Sequence, residues 1–168
     1  KLNPINVNNI FKNTPCKFIK KGIEKKSDFV ALKIPHFNEL FGHELYPNIR
    51  FGTEIATKVK VLTGLKGLIH SDEALIDKYK FTQEEIDKLK SKLDIQKEDA
   101  FILILAKGKK LQTALEIIME RIQMAFDGVP GETRQANEDG THTFVRELGG
   151  KRRLYPDTDT PPILISEE

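Results

Sequence analysis

The sequence predicts an α+β fold, and three observations carry that reading. DFVALKIP (28–35) places Val30, Leu32 and Ile34 on one face and ends at a proline, which suits a strand. FILILA (101–106) is six consecutive apolar residues, short enough for a buried strand and apolar enough to be central in its sheet. The segments around these strands repeat their apolar residues at helical spacing, so strands and helices alternate from 28 to 126 as an α+β layer.

Taken in order, residues 1–26 begin with Pro and Asn breakers and offer a short helix over Val7–Lys12, ended by Pro15. The first strand follows at 28–35. HFNELFGHELYPN (36–48) keeps neither period for long and reads as a structured loop on the domain surface. From Gly52 to Leu62 the pattern predicts a helix with Thr53 as N-cap and Glu54 in its first turn, burying Ile55, Val59 and Leu62, and Gly64 stops it. GLIHSD (67–72) supplies a second strand. Thr82 and Glu85 form a T-x-x-E capping box, after which Ile86, Leu89 and Leu93 share a helix face. The longest helix, about 109–126, repeats Leu111, Leu115, Ile118, Ile122 and Ala125 and is expected to carry the sheet.

Composition excludes several classes. At 168 residues, with 39% hydrophobic and 31% charged residues, the chain has the profile of one folded core, and no apolar run reaches the roughly 20 residues of a membrane helix. One cysteine, Cys16, forbids an intrachain disulfide and fits a cytoplasmic location. The N-terminus lacks an initiator Met and a signal-peptide core, as expected of a cut inside a longer chain. A net charge of +2 is too small to announce a nucleic-acid binder, although lysines cluster at 17–26 and 107–110, and Lys151, Arg152 and Arg153 add a third basic group. The bland reading of each cluster is a solvated surface. His36, His43, His70 and His142 lack the spacing of metal ligands and read as surface or packing residues. KGKK (107–110) has one glycine and no G-x-x-x-x-G-K-[ST] spacing, so it is a strand-to-helix turn.

The last stretch differs. Residues 128–162 hold five Gly and four Arg between two proline-bearing ends, with too little periodicity for a core. IFKNT, KFIKKG, FVALKIPHFNELFG, TGLKGLIHSDE and KEDAFILI, followed by GVPGETRQANEDGT and RLYPDTDTPPI, resemble the E-type subunits of archaeal glutamyl-tRNA(Gln) amidotransferases over nearly the whole chain. Residues 27–126 are also similar to the insert domain of bacterial aspartyl-tRNA synthetases, and the ETR and YPDTDTPP elements point to the amidotransferase side.

The resemblance implies a two-layer fold, helices covering one face of a mostly antiparallel sheet, with an irregular C-terminal extension. It divides the chain into an insert domain, 1–126, and an extension, 127–168, that returns to a catalytic cradle. It implies that the full enzyme uses ATP and Mg²⁺ to phosphorylate Glu on tRNA(Gln), and that ammonia from an amidohydrolase partner of the D type displaces the phosphate. No cofactor, metal site or membrane contact is expected for the chain itself. Glu132 and Arg134 become candidate catalytic residues, and Arg146, Arg152, Arg153, Tyr155, Asp157 and Asp159 candidate substrate-binding residues, because phosphoryl transfer needs cations and positioned carboxylates. The alternative is that they pair with one another to fix the extension. Gly131 departs from the family by standing where a first carboxylate is usual, and three basic residues precede Leu154 and Tyr155. The rival function is a non-catalytic module that binds tRNA or protein.

Overall fold

The computed structural model describes residues 2–128 and 131–148. A four-stranded sheet runs in the order β1 (Pro4–Asn6), β2 (Asp28–Ile34), β6 (Ala100–Ala106), β5 (Leu68–His70), and every neighbouring pair is antiparallel. FILILA is therefore interior. The small hairpin β3 (Glu44–Tyr46) and β4 (Ile49–Arg50) precedes α2 (Phe51–Thr63), and α5 (Lys109–Asp127) follows β6 directly. On the other side of the sheet lie α1 (Lys17–Glu24), α3 (Leu75–Tyr79) and α4 (Gln83–Leu93).

The α+β class and the antiparallel, helix-covered sheet are as expected, but the sheet is covered twice. Val30, Leu32, Ile34, Ile102 and Ile104 face α2 and α5, where Ile55, Val59, Ile118 and Ile122 close one core. Phe29, Ala31, Phe101 and Leu103 point the other way into a second core with Ile19, Phe81, Ile86, Leu89 and Leu93. Three layers replace the implied two, because both sets of alternating residues in the central strands are apolar. Phe11 anchors the second core, its ring 4.9 Å from those of both Phe29 and Phe81.

The expected helix over Val7–Lys12 is instead a series of turns. Asparagine side chains compete for the backbone there: Asn6 accepts from the N–H of Asn8, and Asn8 accepts from the N–H of Phe29 at 2.6 Å. The helix comes after Pro15, not before it, with Cys16 as N-cap and buried. The 36–48 segment is more than a surface loop, since Phe37 and Phe41 enter the first core. Arg50, not Thr53, is the N-cap of α2, so Thr53 lies inside the helix. Gly64 ends α2 with φ 72°, a left-handed geometry that glycine adopts without steric cost. At α4 the capping box forms in full: Thr82 Oγ1 accepts from the Glu85 N–H at 3.1 Å, and Glu85 Oε2 accepts from the Thr82 N–H at 2.9 Å. Within the extension expected to be irregular, β7 (Glu132–Ala136) and β8 (His142–Glu147) make an antiparallel hairpin.

Candidate functional site

The hairpin, α2 and α5 enclose a chain of charges of alternating sign. Glu54 and Lys58 stand one turn apart on α2, while neighbouring Ile55 and Val59 enter the core. Arg121 lies in the buried stripe of α5 between Ile118 and Ile122. Glu54 Oε1 accepts from Arg121 Nε at 3.1 Å and Nη2 at 2.7 Å, and its Oε2 lies 3.2 Å from Arg134 Nη2. Arg134 Nη1 donates to Glu132 Oε2 at 2.8 Å, and Lys58 Nζ donates to Glu132 Oε1 at 2.9 Å. Lys58 and Glu132 are almost fully buried, their side chains 2% and 3% exposed.

Aromatic groups complete the enclosure. The Lys58 ammonium lies 5.2 Å from the Phe144 ring centre, and the Arg121 guanidinium 4.7 Å from that of Phe51. Arg134 also donates through Nη2 to the Tyr46 hydroxyl at 3.1 Å and through Nε to His142 Nδ1 at 2.7 Å. Burial alone pushes the Arg134 pKa down; Glu54, the Tyr46 hydroxyl and Glu132 outweigh it, and the net shift is upward. Arg134 is a fixed cation.

Beside this network opens a mostly apolar cavity of about 470 Å³, with Phe37, Leu45, Phe51 and Phe126 among its walls and Arg121, Arg134, His43 and His142 at its polar side. Phe126 is 66% exposed. Among the described residues no three His, Cys, Asp or Glu side chains stand together as a metal cluster.

The structure thus brings Glu132 and Arg134 together against α2, with the Glu132 side chain buried and that of Arg134 partly exposed toward the cavity. Arg146, on the same hairpin, is exposed and joins no ion pair among the described residues. Arg152, Arg153, Tyr155, Asp157 and Asp159 lie outside the described residues. Sequence reasoning missed Glu54, Lys58, Arg121 and Tyr46. One signal was available: Arg121 interrupts an apolar stripe, where a charge requires a buried partner.

Residues 19–115 match the family profile of the GAD domain. The chain belongs to the GAD domain family. Beyond the GAD domain, likeness extends along nearly the whole chain. The glutamyl-tRNA(Gln) amidotransferase E-type subunit of Sulfurisphaera tokodaii is 48% identical over 157 residues, 94% of this chain and 25% of that protein. Its counterparts in Saccharolobus solfataricus and Sulfolobus acidocaldarius are 47% and 44% identical over 163 residues, covering 96% and 97% of this chain and 25% of each protein. With so few residues left over, the matched span takes in the β7–β8 hairpin. The chain spans about a quarter of the length of these curated relatives.

Proposed function

We propose that this chain is the GAD-bearing part of a tRNA-dependent amidotransferase subunit, which converts Glu-tRNA(Gln) to Gln-tRNA(Gln) with ATP and with ammonia from an amidohydrolase partner of the D type. One observation carries it: the likeness to the archaeal E-type subunits runs past the GAD domain into the hairpin. A GAD domain grafted onto another enzyme would share the first part only. In this reading residues 1–126 form the insert and 127–168 return to the catalytic cradle, with Arg146, Arg152, Arg153, Tyr155, Asp157 and Asp159 toward the tRNA end or phosphate.

Glu132 and Arg134 serve as positioning residues on the cradle wall. Their polar atoms are already engaged: both Glu132 oxygens meet cations, and Arg134 is held by two carboxylates, Tyr46 and His142. The same occupancy means that Glu54 and Glu132 do not fit a Mg²⁺ ion, which needs carboxylate oxygens free to coordinate it. In this reading ATP and Mg²⁺ are held chiefly by the rest of the full subunit, and the chain alone does not catalyse.

The test is amidation of Glu-tRNA(Gln) by the full-length protein with its ammonia-supplying partner. Gln-tRNA(Gln) should form with the pair and not with this chain alone; no product from the pair overturns the assignment. Arg134→Ala in the pair should lower the amidation rate by about tenfold or more, in the range lost when a positioning group is removed, while β2 and β6 keep their slow amide exchange.

A further inference from the structure

The net charge of +2 averages over two unlike ends of the molecule. Asp28 is paired with Ala106, and Leu68 with Ile104, so the start of β2, the end of β6 and the start of β5 lie at one end of the sheet. Chain entering β2 carries Lys25 and Lys26, chain leaving β6 carries Lys107, Lys109 and Lys110, and chain entering β5 carries Lys66. Helix α1 lies over that same end. Gly22 leaves so little room beneath it that a Cβ would come 2.2 Å from Leu105 Cδ2, and the Phe18 ring rests on Gly67. The helix adds Lys17, Lys20 and Lys21. All these lysines are exposed, and none joins an ion pair among the described residues. Glu24 and Asp28 are the nearby carboxylates in sequence, and Asp28 accepts from Asn6.

The opposite end is different in kind. There Lys33 meets Asp99 at 2.9 Å and Lys78 meets Glu73, with Asp72 and Glu98 nearby in the chain. Lys33 and Lys78 are paired with carboxylates there, whereas among the described residues none of the lysines gathered at the first end is, so that those are left to repel one another. Sequence distance hides this gathering, since the four lysine groups belong to separate loops and to the helices α1 and α5.

We propose that the lysine end of the sheet is an RNA-docking face that grips folded RNA through its phosphates; this rests on the tRNA reading above and names the surface it uses. Two features favour RNA over an acidic protein. The face is built of lysine, which is depleted at protein interfaces but serves as a point-charge contact for phosphate oxygens. Its exposed aromatic is Phe18, 49% accessible, which gives a base or ribose a flat surface rather than giving a protein an apolar centre. Such contacts position RNA without reading its sequence.

The experiment titrates the 168-residue chain, whose two cores are closed within it, with a fluorescent RNA stem-loop across a salt series. Lys21→Glu, Lys25→Glu and Lys109→Glu are combined in one variant. The control variant combines Lys80→Glu, Lys90→Glu and Lys97→Glu, three exposed lysines elsewhere, so that both variants have the same net charge. The first variant should bind about tenfold or more weakly, with its salt slope reduced by about two, and the control should stay within about twofold of the parent. Unchanged melting temperatures show that both variants remain folded. Equal losses in the two variants, no RNA binding by the parent at low salt, or displacement of RNA by polyglutamate as readily as by unlabelled RNA would each overturn the proposal. Failure here with active amidation by the full-length protein removes the docking face alone. Lysine-dependent RNA binding without amidation removes the enzymatic reading and leaves the face.

Discussion

Glu54 holds two guanidinium groups at once, Arg121 on one oxygen and Arg134 on the other, at a position only 7% exposed. Removing it leaves Arg121 buried without a counter-charge. Glu54→Ala is expected to cost about 3–5 kcal/mol in urea denaturation, the usual loss when one partner of a buried pair is deleted. Neither Glu54 nor Lys58 was legible as a site residue. Four apart on a helix, they could pair with each other at a surface, and only the packing of α5 and of a distant hairpin turns that face inward. Glu132 and Arg134 were legible through their motif, but the motif says nothing of Lys58 or Tyr46, which engage them from other elements. Asp99 offers a pH test. Its bond from Lys33, with the backbone N–H groups of Gln96 and His36, lowers its pKa to about 2, below its usual value of about 3.9. A carboxyl with a depressed folded pKa stabilises the fold above the unfolded pKa and loses that contribution as pH falls through the folded one. Asp99→Asn should therefore unfold at lower urea than the parent above about pH 4, and the gap should narrow as pH falls toward about 2.

At the scale of elements, local signals survived where one segment decides its own conformation. The α4 capping box needs only Thr82 and Glu85, and its geometry is complete. Thr82→Ala should cost about 1 kcal/mol of stability, read from the shift in denaturation midpoint. The strands at 28–34 and 100–106 and the long α5 were equally plain, because their apolar runs exceed what a loop tolerates. Short elements were not. β1 has three residues and α3 five, so neither repeats its pattern twice. The α2 start was misplaced because Thr53 is a good cap by type, whereas the chain turns into the helix at Arg50, out of the β3–β4 hairpin. The β7–β8 hairpin was hidden by composition: Glu132, Arg134 and Arg146 point to a polar segment, and only Phe144 is a buried apolar residue within it.

For the whole molecule, the decisive fact is that the central strands are apolar on both sides. Ile118 is fully buried in the core shared by α5 and the sheet. Ile118→Asp should abolish cooperative unfolding, with loss of near-ultraviolet circular dichroism, because a carboxylate there has no cation to meet. The second core is less legible, since the alternation of the first strand marks Val30, Leu32 and Ile34 and gives Phe29 and Ala31 no evident partner in the sequence. The central pairing also sets an order of events during synthesis. Strand β2 finds its main partner only when β6 has been made, some seventy residues later, and the distant pairing makes closure slow. Until then a nascent chain presents a two-sided apolar strand to its surroundings. A ribosome paused before residue 100 would expose it to chaperones and to neighbouring chains, whereas release of FILILA closes the sheet from within.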